Sequence, residues 1–282
     1  MQTILKSKTK QVKISTEGPF TVIGEKINPT GRKKLAAALQ EGNLDYVREL
    51  AQKQIDGGAD LLDVNVGVPG IDDVALLPKV VKMLSEEFDI PLCIDTPNPK
   101  ALAAALKVAP GRVLVNSVNG EEASLNAVLP LVKEHGTAVI GLVMDENGIP
   151  SDPEVRCAIA EKILERAAKL GIPAEDVIID VLVLTVGADS NAGSVTLKTI
   201  ELVRQAFGVN INLGASNVSF GLPDRDTINQ AFLGLAIGAG ATCAITDPLK
   251  YTQYIRAADL LLGRDPYAGR YIKYFRTHQP AE

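Results

Sequence analysis

Two hydrophobic rhythms alternate along the chain. Short runs rich in valine, isoleucine and leucine recur at residues 21–27 (TVIGEKI), 61–66 (LLDVNV), 92–95 (LCID), 112–118 (RVLVNSV), 138–143 (AVIGLV), 176–184 (DVIIDVLVL), 210–216 (NINLGAS) and 242–246 (TCAIT). Runs of this kind predict parallel strands buried on both faces. Longer stretches between them place apolar residues at i, i+3 and i+4, the spacing of a helix packed on one side. In EKILERAAKL (161–170), Ile163, Leu164, Ala167 and Leu170 share a face, with Lys162, Glu165 and Arg166 largely off it. Gly58, Gly136, Gly171, Gly208 and Gly240 close such stretches, where a left-handed residue caps a helix. Eight strand–helix units predict an α/β fold, a closed (β/α)8 TIM barrel. A doubly wound open sheet is the alternative. No composition break divides the chain, so residues 1–282 read as one barrel domain, with residues 1–20 a short N-terminal extension forming a hairpin or a cap on the barrel bottom.

The strands also end on polar side chains. In order these are Glu25, Lys26 and Asn28; Asp63 and Asn65; Asp95; Asn116 and Asn119; Met144 and Asp145; Asp180; Ser216 and Asn217; and Asp247. In a barrel, the C-terminal strand ends form the mouth where function sits. Any one of them can be a local device. Asp63 or Asp95 can cap the turn that follows, and Asn217 in GASNVSFG can be a turn residue. Asp180 differs, because it interrupts an apolar run, where an unpaired carboxylate is costly; it reads as a ligand contact. As a set these residues are poor in Lys, Arg and His. A carboxylate matches two adjacent N–H donors of an aminopyrimidine-like edge, and a carboxamide reads a donor beside an acceptor. A bare phosphate would want Arg, Lys or a glycine nest.

Composition narrows the classes. The chain is 46% hydrophobic and 22% charged, enough for a sizeable core. A net charge of -5, 4% aromatics and no Trp argue against nucleic acid as a partner. No run of 18 apolar residues is present to span a membrane, and the basic start MQTILKSKTKQVK lacks the apolar core of a secretory signal. Cys93, Cys157 and Cys243 are dispersed, which fits a reduced, cytoplasmic setting and gives neither a disulfide framework nor a zinc pattern. Of two histidines, His135 ends a helix, where a cation offsets the dipole, and His278 is in the tail. A histidine triad or metal site is not supported. Mg²⁺ on the carboxylates, as in a metal-dependent aldolase or hydrolase, is the fallback reading.

Seven motifs occur in order: GEKIN (24–28), LDVNVG (62–67), CIDT (93–96), VNSVNGE (115–121), GLVMDENGIP (141–150), IID (178–180) and GASNVSFGLPDR (214–225). Together they resemble the pterin-binding methyltransferases that act with corrinoid proteins, over roughly residues 20–276. The nearest are the methyltetrahydrofolate:corrinoid protein methyltransferases. The folate module of cobalamin-dependent methionine synthase and dihydropteroate synthase are more distant. The resemblance implies a homodimeric barrel with the pterin in its mouth, and tetrahydrofolate or methyltetrahydrofolate as substrate. It implies that Asp95, Asn116 and Asp180 hold the pterin ring and that Asn217 contacts the N5 region, making Asp180 and Asn217 the catalytic pair. Asp63, Asn65, Ser216 and Arg225 match nearby positions of the substrate site. No D-x-H-x-x-G motif is present, so cobalamin is expected on a separate corrinoid protein, with no metal bound directly. The pathway would be acetogenesis, O-demethylation or methylamine catabolism. The family often has IDPL where this chain has Asp180-Val181-Leu182, which puts the loop shape in doubt. Dihydropteroate synthase is the alternative enzyme, although TDPLK offers little beyond Lys250 for a pyrophosphate. A pterin-binding module without catalysis is the alternative outside enzymes.

Overall fold

The computed structural model describes residues 1–278. Two antiparallel strands open the chain, β1 (Gln2–Lys6) and β2 (Gln11–Ser15). Eight parallel strands follow: β3 (Thr21–Ile27), β4 (Leu61–Val64), β5 (Leu92–Asp95), β6 (Leu114–Asn119), β7 (Ala138–Leu142), β8 (Val177–Asp180), β9 (Ile211–Asn212) and β10 (Cys243–Thr246). They are neighbours in chain order, and β10 returns to lie beside β3. The β9–β10 seam is short. A Gly214–Ile245 bridge and the Ile245 N–H on Leu213 O at 2.8 Å complete the ring. This is the (β/α)8 barrel, not the open sheet.

The outer layer is α1 (Lys33–Gln40), α2 (Asp45–Asp56), α3 (Asp73–Glu87), α4 (Pro99–Leu106), α5 (Glu122–His135), α6 (Pro153–Lys169), α7 (Ala192–Phe207), α8 (Arg225–Ala239), α9 (Pro248–Leu261) and α10 (Gly269–His278). Three of these helices start the same way. Asn98-Pro99, Asp152-Pro153 and Asp247-Pro248 each put a capping side chain on the amide two residues on and a proline in the first turn. Gly136 (φ 60°) and Gly208 (φ 64°) close α5 and α7 in the left-handed conformation. On α6, Ile163 and Ala167 are buried as the spacing predicts, but Leu170 lies past the helix end and is 42% exposed.

Strand limits differ most where apolar sequence continues into a loop. The run 176–184 stops being strand at Asp180, and 210–216 contributes only Ile211 and Asn212 before a 3-10 turn at Ala215–Ser219. Hydrophobicity reports burial, and Val181 and Val183 are buried in the core without pairing as strand.

Two-residue alternation sorts the barrel interior into layers. The lower layers are apolar: Ile23, Leu61, Cys93, Leu114, Ala138, Ile140, Ile178 and Cys243 cluster there with Leu5, Val12 and Ile14 from the hairpin. The hairpin therefore packs on the bottom of the barrel. Arg112 clamps it: Nη1 donates to Ile4 O at 2.9 Å, Nε donates to Gly136 O at 2.8 Å, and Nη2 pairs with Asp176. We expect Arg112→Ala to lower stability by about 2–3 kcal/mol, measured as a lower denaturation midpoint, because it strands a buried carboxylate and two carbonyls. Among the described residues no helix is long and apolar enough to cross a membrane.

Candidate active site

One step above the apolar layer, the same alternation puts Glu25, Asp63, Asp95, Asn116 and Asp180 on the inward face, at the strand ends. That explains why hydrophobic strands end on carboxylates. Residue i points into the filled barrel and residue i+2 into the open mouth.

Each group is held by a neighbour. Asp180, 5% exposed, accepts the Leu182 amide on Oδ1 at 2.8 Å and the Asn212 carboxamide on Oδ2 at 2.6 Å. Each oxygen keeps a further lone pair. Asp95 accepts Asn65 Nδ2 on Oδ2 at 3.0 Å, leaving Oδ1 open. Asn65 Oδ1 in turn accepts the Gly67 amide at 2.7 Å, so that carboxamide is engaged at both ends. Asn116, paired in register with Asp95, donates Nδ2 to Asp63 Oδ1 at 3.1 Å. This fixes its orientation and leaves its carbonyl oxygen as an acceptor. Asp63 is 2% exposed and sits behind Asn116.

Burial pushes the Asp180 carboxyl up to about 6, against the Leu182 amide, Asn212 and the Arg156 charge, which all pull it down. Burial does the same to Asp95, to about 6, opposed by Asn65. Asp63 is pushed well above the usual carboxylate range by burial and by the charge of Asp95.

On the other side of the mouth, Ser216 Oγ donates to Glu25 Oε2 at 2.7 Å. Arg225 supports that turn, with Nη2 on Ser216 O at 2.7 Å and Nε on Ser219 Oγ at 3.0 Å. Asn217 is exposed on the rim, and its carboxamide has no hydrogen-bond partner among the described residues. Gly214 makes room for it: a Cβ there would lie 3.1 Å from Asn217 Nδ2. Asp247 turns to other work, capping α9 through the Leu249 amide and pairing with Lys26. From Asp95 and Asn116 a cavity of about 540 Å³ runs outward between α4 and α5, floored by Leu102 and Val128.

Two of these residues escape a reading of strand ends. Asn212 was hidden in NINLG, although it stands level with Asp180 on the adjacent strand. Arg156 lies within α6, where only an arginine on the buried side of a helix could have betrayed it. Conversely, Asp63, Asn65 and Arg225 hold other mouth residues in place. Among the described residues no group of three or more His, Cys, Asp or Glu is set to hold a metal ion.

A family described as pterin binding enzyme matches residues 24–247, from within β3 to the end of β10. The chain belongs to the pterin-binding enzyme family. A methylcorrinoid:tetrahydrofolate methyltransferase of Eubacterium limosum is 31% identical over 263 residues, covering 90% of this chain and 96% of its own length. With that relative matched nearly end to end, this pterin-binding enzyme is a methyltransferase. Methionine synthase of Mycobacterium tuberculosis is 30% identical over 252 residues, which are 85% of this chain but only 21% of that much longer protein. Among solved structures, Yersinia pestis dihydropteroate synthase with a pterine-sulfa conjugate superposes with a TM-score of 0.72 at 18% identity, covering 93% of this enzyme and 99% of that chain. The Coxiella burnetii dihydropteroate synthase in complex with pteroic acid gives 0.68 at 19% identity, covering 93% and 99%. At such identities these neighbours show a shared barrel.

Proposed function

We propose that this enzyme moves a methyl group between N5 of tetrahydrofolate and the cobalt of a corrinoid carried on a separate protein. The observation that carries the reading is Asp180: a buried carboxylate whose two oxygens are each held by one donor and each retain a lone pair. The 2-amino and N3–H edge of a pterin supplies two adjacent N–H donors for such a group. Asp95 Oδ1 and the Asn116 carbonyl oxygen are acceptors for the ring's remaining N–H groups.

Methyl transfer from N5 is a displacement in which a tertiary amine must leave. The methyl carbon bonds to Co(I), the C–N bonding pair stays on N5, and a proton from solvent completes the N5–H of tetrahydrofolate; a hydrogen bond to N5 eases the departure. Asn217 has an unengaged carboxamide on the rim and can donate to N5 as electron density returns to it. In the reverse direction the same amide accepts or donates as N5 attacks. The corrinoid is a substrate that arrives over the open mouth. The reading takes the enzyme as a cytoplasmic homodimer and leaves acetogenic and demethylating pathways as its setting.

Dihydropteroate synthase, the fold neighbour, is the weaker reading. At the mouth Lys26 pairs with Asp247, Arg32 with Glu25 at 3.5 Å and Lys250 with Asp226 at 2.8 Å. Those cations are already matched by carboxylates and are not set out for a pyrophosphate.

Calorimetric titration of tetrahydrofolate tests the binding half. The carboxylates of Asp95 and Asp180 accept N–H donors when ionised, and burial places both near 6. Protonation therefore competes with the ligand on the acid side. The Kd at about pH 5 should exceed that at about pH 7 by up to roughly 100-fold, tenfold for each carboxyl. Binding that strengthens toward acid, or no binding at any pH, contradicts the assignment.

A further inference from the structure

Arg156 is the largest side chain sealed in the interior, 1% exposed. It makes no hydrogen bond to a carboxylate among the described residues. Its guanidinium instead spends its donors on three carbonyl oxygens: Nε on Pro150 at 2.7 Å, and Nη1 on Val181 at 2.8 Å and Leu182 at 2.9 Å. Burying a cation on carbonyls alone is costly, so its placement calls for a reason. Two of the three carbonyls belong to the residues that follow Asp180. Leu182 has φ 59°, left-handed backbone that a leucine rarely adopts. Its carbonyl also accepts Thr196 Oγ1 at 3.2 Å. Held this way, its amide meets Asp180 Oδ1 at 2.8 Å.

We propose that Arg156 is a positioning residue for the Asp180 site, clipping the β8–α7 loop into the conformation in which the Leu182 amide fixes the carboxylate and leaves its outer edge for ligand. Through Pro150 the same guanidinium ties in the β7–α6 loop, so one side chain sets two loops of the mouth. Its charge lies behind the carboxylate and favours the ionised form. The other groups facing Asp180 are the Cys243 thiol on β10, which burial and, after it, the Asp180 charge push up, and the neutral Asn212 on β9; its register partner on β7 is Leu142. The functional part of this inference rests on the reading of Asp180 as a ligand contact, but its structural part can be tested without ligand.

The experiment follows the Asp180 carboxyl by carbon-13 NMR in the ligand-free enzyme, through a pH titration, in wild type, R156Q and R156K. R156Q keeps an amide donor and loses the charge. R156K keeps the charge and loses the fork. The Asp180 midpoint should rise by about one pH unit in R156Q and by less in R156K. Leu182 amide exchange should quicken in both, and tetrahydrofolate should bind about tenfold more weakly to R156Q near neutral pH. A midpoint unchanged in both variants overturns the proposal. Should R156Q not fold, R156K alone decides, a raised midpoint supporting the clip and an unchanged one refuting it. If wild type itself fails to bind tetrahydrofolate, the proposed function is wrong, while the midpoint still decides the role of Arg156.

Discussion

Asp180→Ala should abolish measurable tetrahydrofolate binding and leave the barrel folded. The substitution removes both acceptor oxygens at once. If each makes one charge-assisted hydrogen bond to the pterin edge, worth about 1.5–3 kcal/mol, the loss is about 3–6 kcal/mol, or 100-fold to 10,000-fold in Kd. Stability should change far less. Burial works against this carboxylate and pushes its pKa up, so its charge is not what stabilises the fold. The donors it leaves behind are the buried Asn212 Nδ2 and the Leu182 amide, and a water in the space vacated by the carboxylate can accept from both. Calorimetry and thermal denaturation on the same preparation check both halves. Binding within tenfold of wild type would remove Asp180 from the site.

The second large effect is on rate. Asn217→Ala should slow methyl transfer by about 100-fold while changing the Kd for methyltetrahydrofolate by less than about tenfold. A hydrogen bond to N5 grows in strength as the electrons of the breaking C–N bond move onto the nitrogen, so it favours the transition state over the bound substrate. Asn217 is exposed and its carboxamide unengaged, so the variant should fold normally. Single-turnover kinetics at saturating substrate separate the two quantities. A variant that binds tenfold or more weaker but transfers at the wild-type rate would make Asn217 a binding residue only.

Much of this architecture was legible in the chain itself. The alternation of valine-rich runs with one-sided helices announced the barrel, and Asp95 and Asp180 mark strand ends because charged residues fit the end of a buried strand only where it opens to a mouth. The stretch Val181–Leu184 misled because its apolar side chains pack on the core while its backbone leaves the sheet; the carbonyls that a strand would have paired go to Arg156 and Thr196. The division of labour within the ring was not legible either. Nothing in LDVNVG says that Asp63 lies beneath Asn116 or that Asn65 serves Asp95, because those are contacts between strands about 30 to 50 residues apart, set only when the barrel closes. Nor does DPEVRC reveal that its arginine crosses to the Asp180 loop.

The central claim is methyl transfer between folate and cobalt, and absorbance reads it directly. The enzyme is mixed anaerobically with methyltetrahydrofolate and Co(I) cobalamin, with tetrahydrofolate and methylcobalamin in a parallel cuvette. The account predicts enzyme-dependent conversion in at least one direction, visible as exchange between the Co(I) and methyl-Co(III) spectra and lost in Asp180→Ala. No conversion in either direction, with free cobalamin and with a corrinoid protein supplied as methyl carrier, would contradict it.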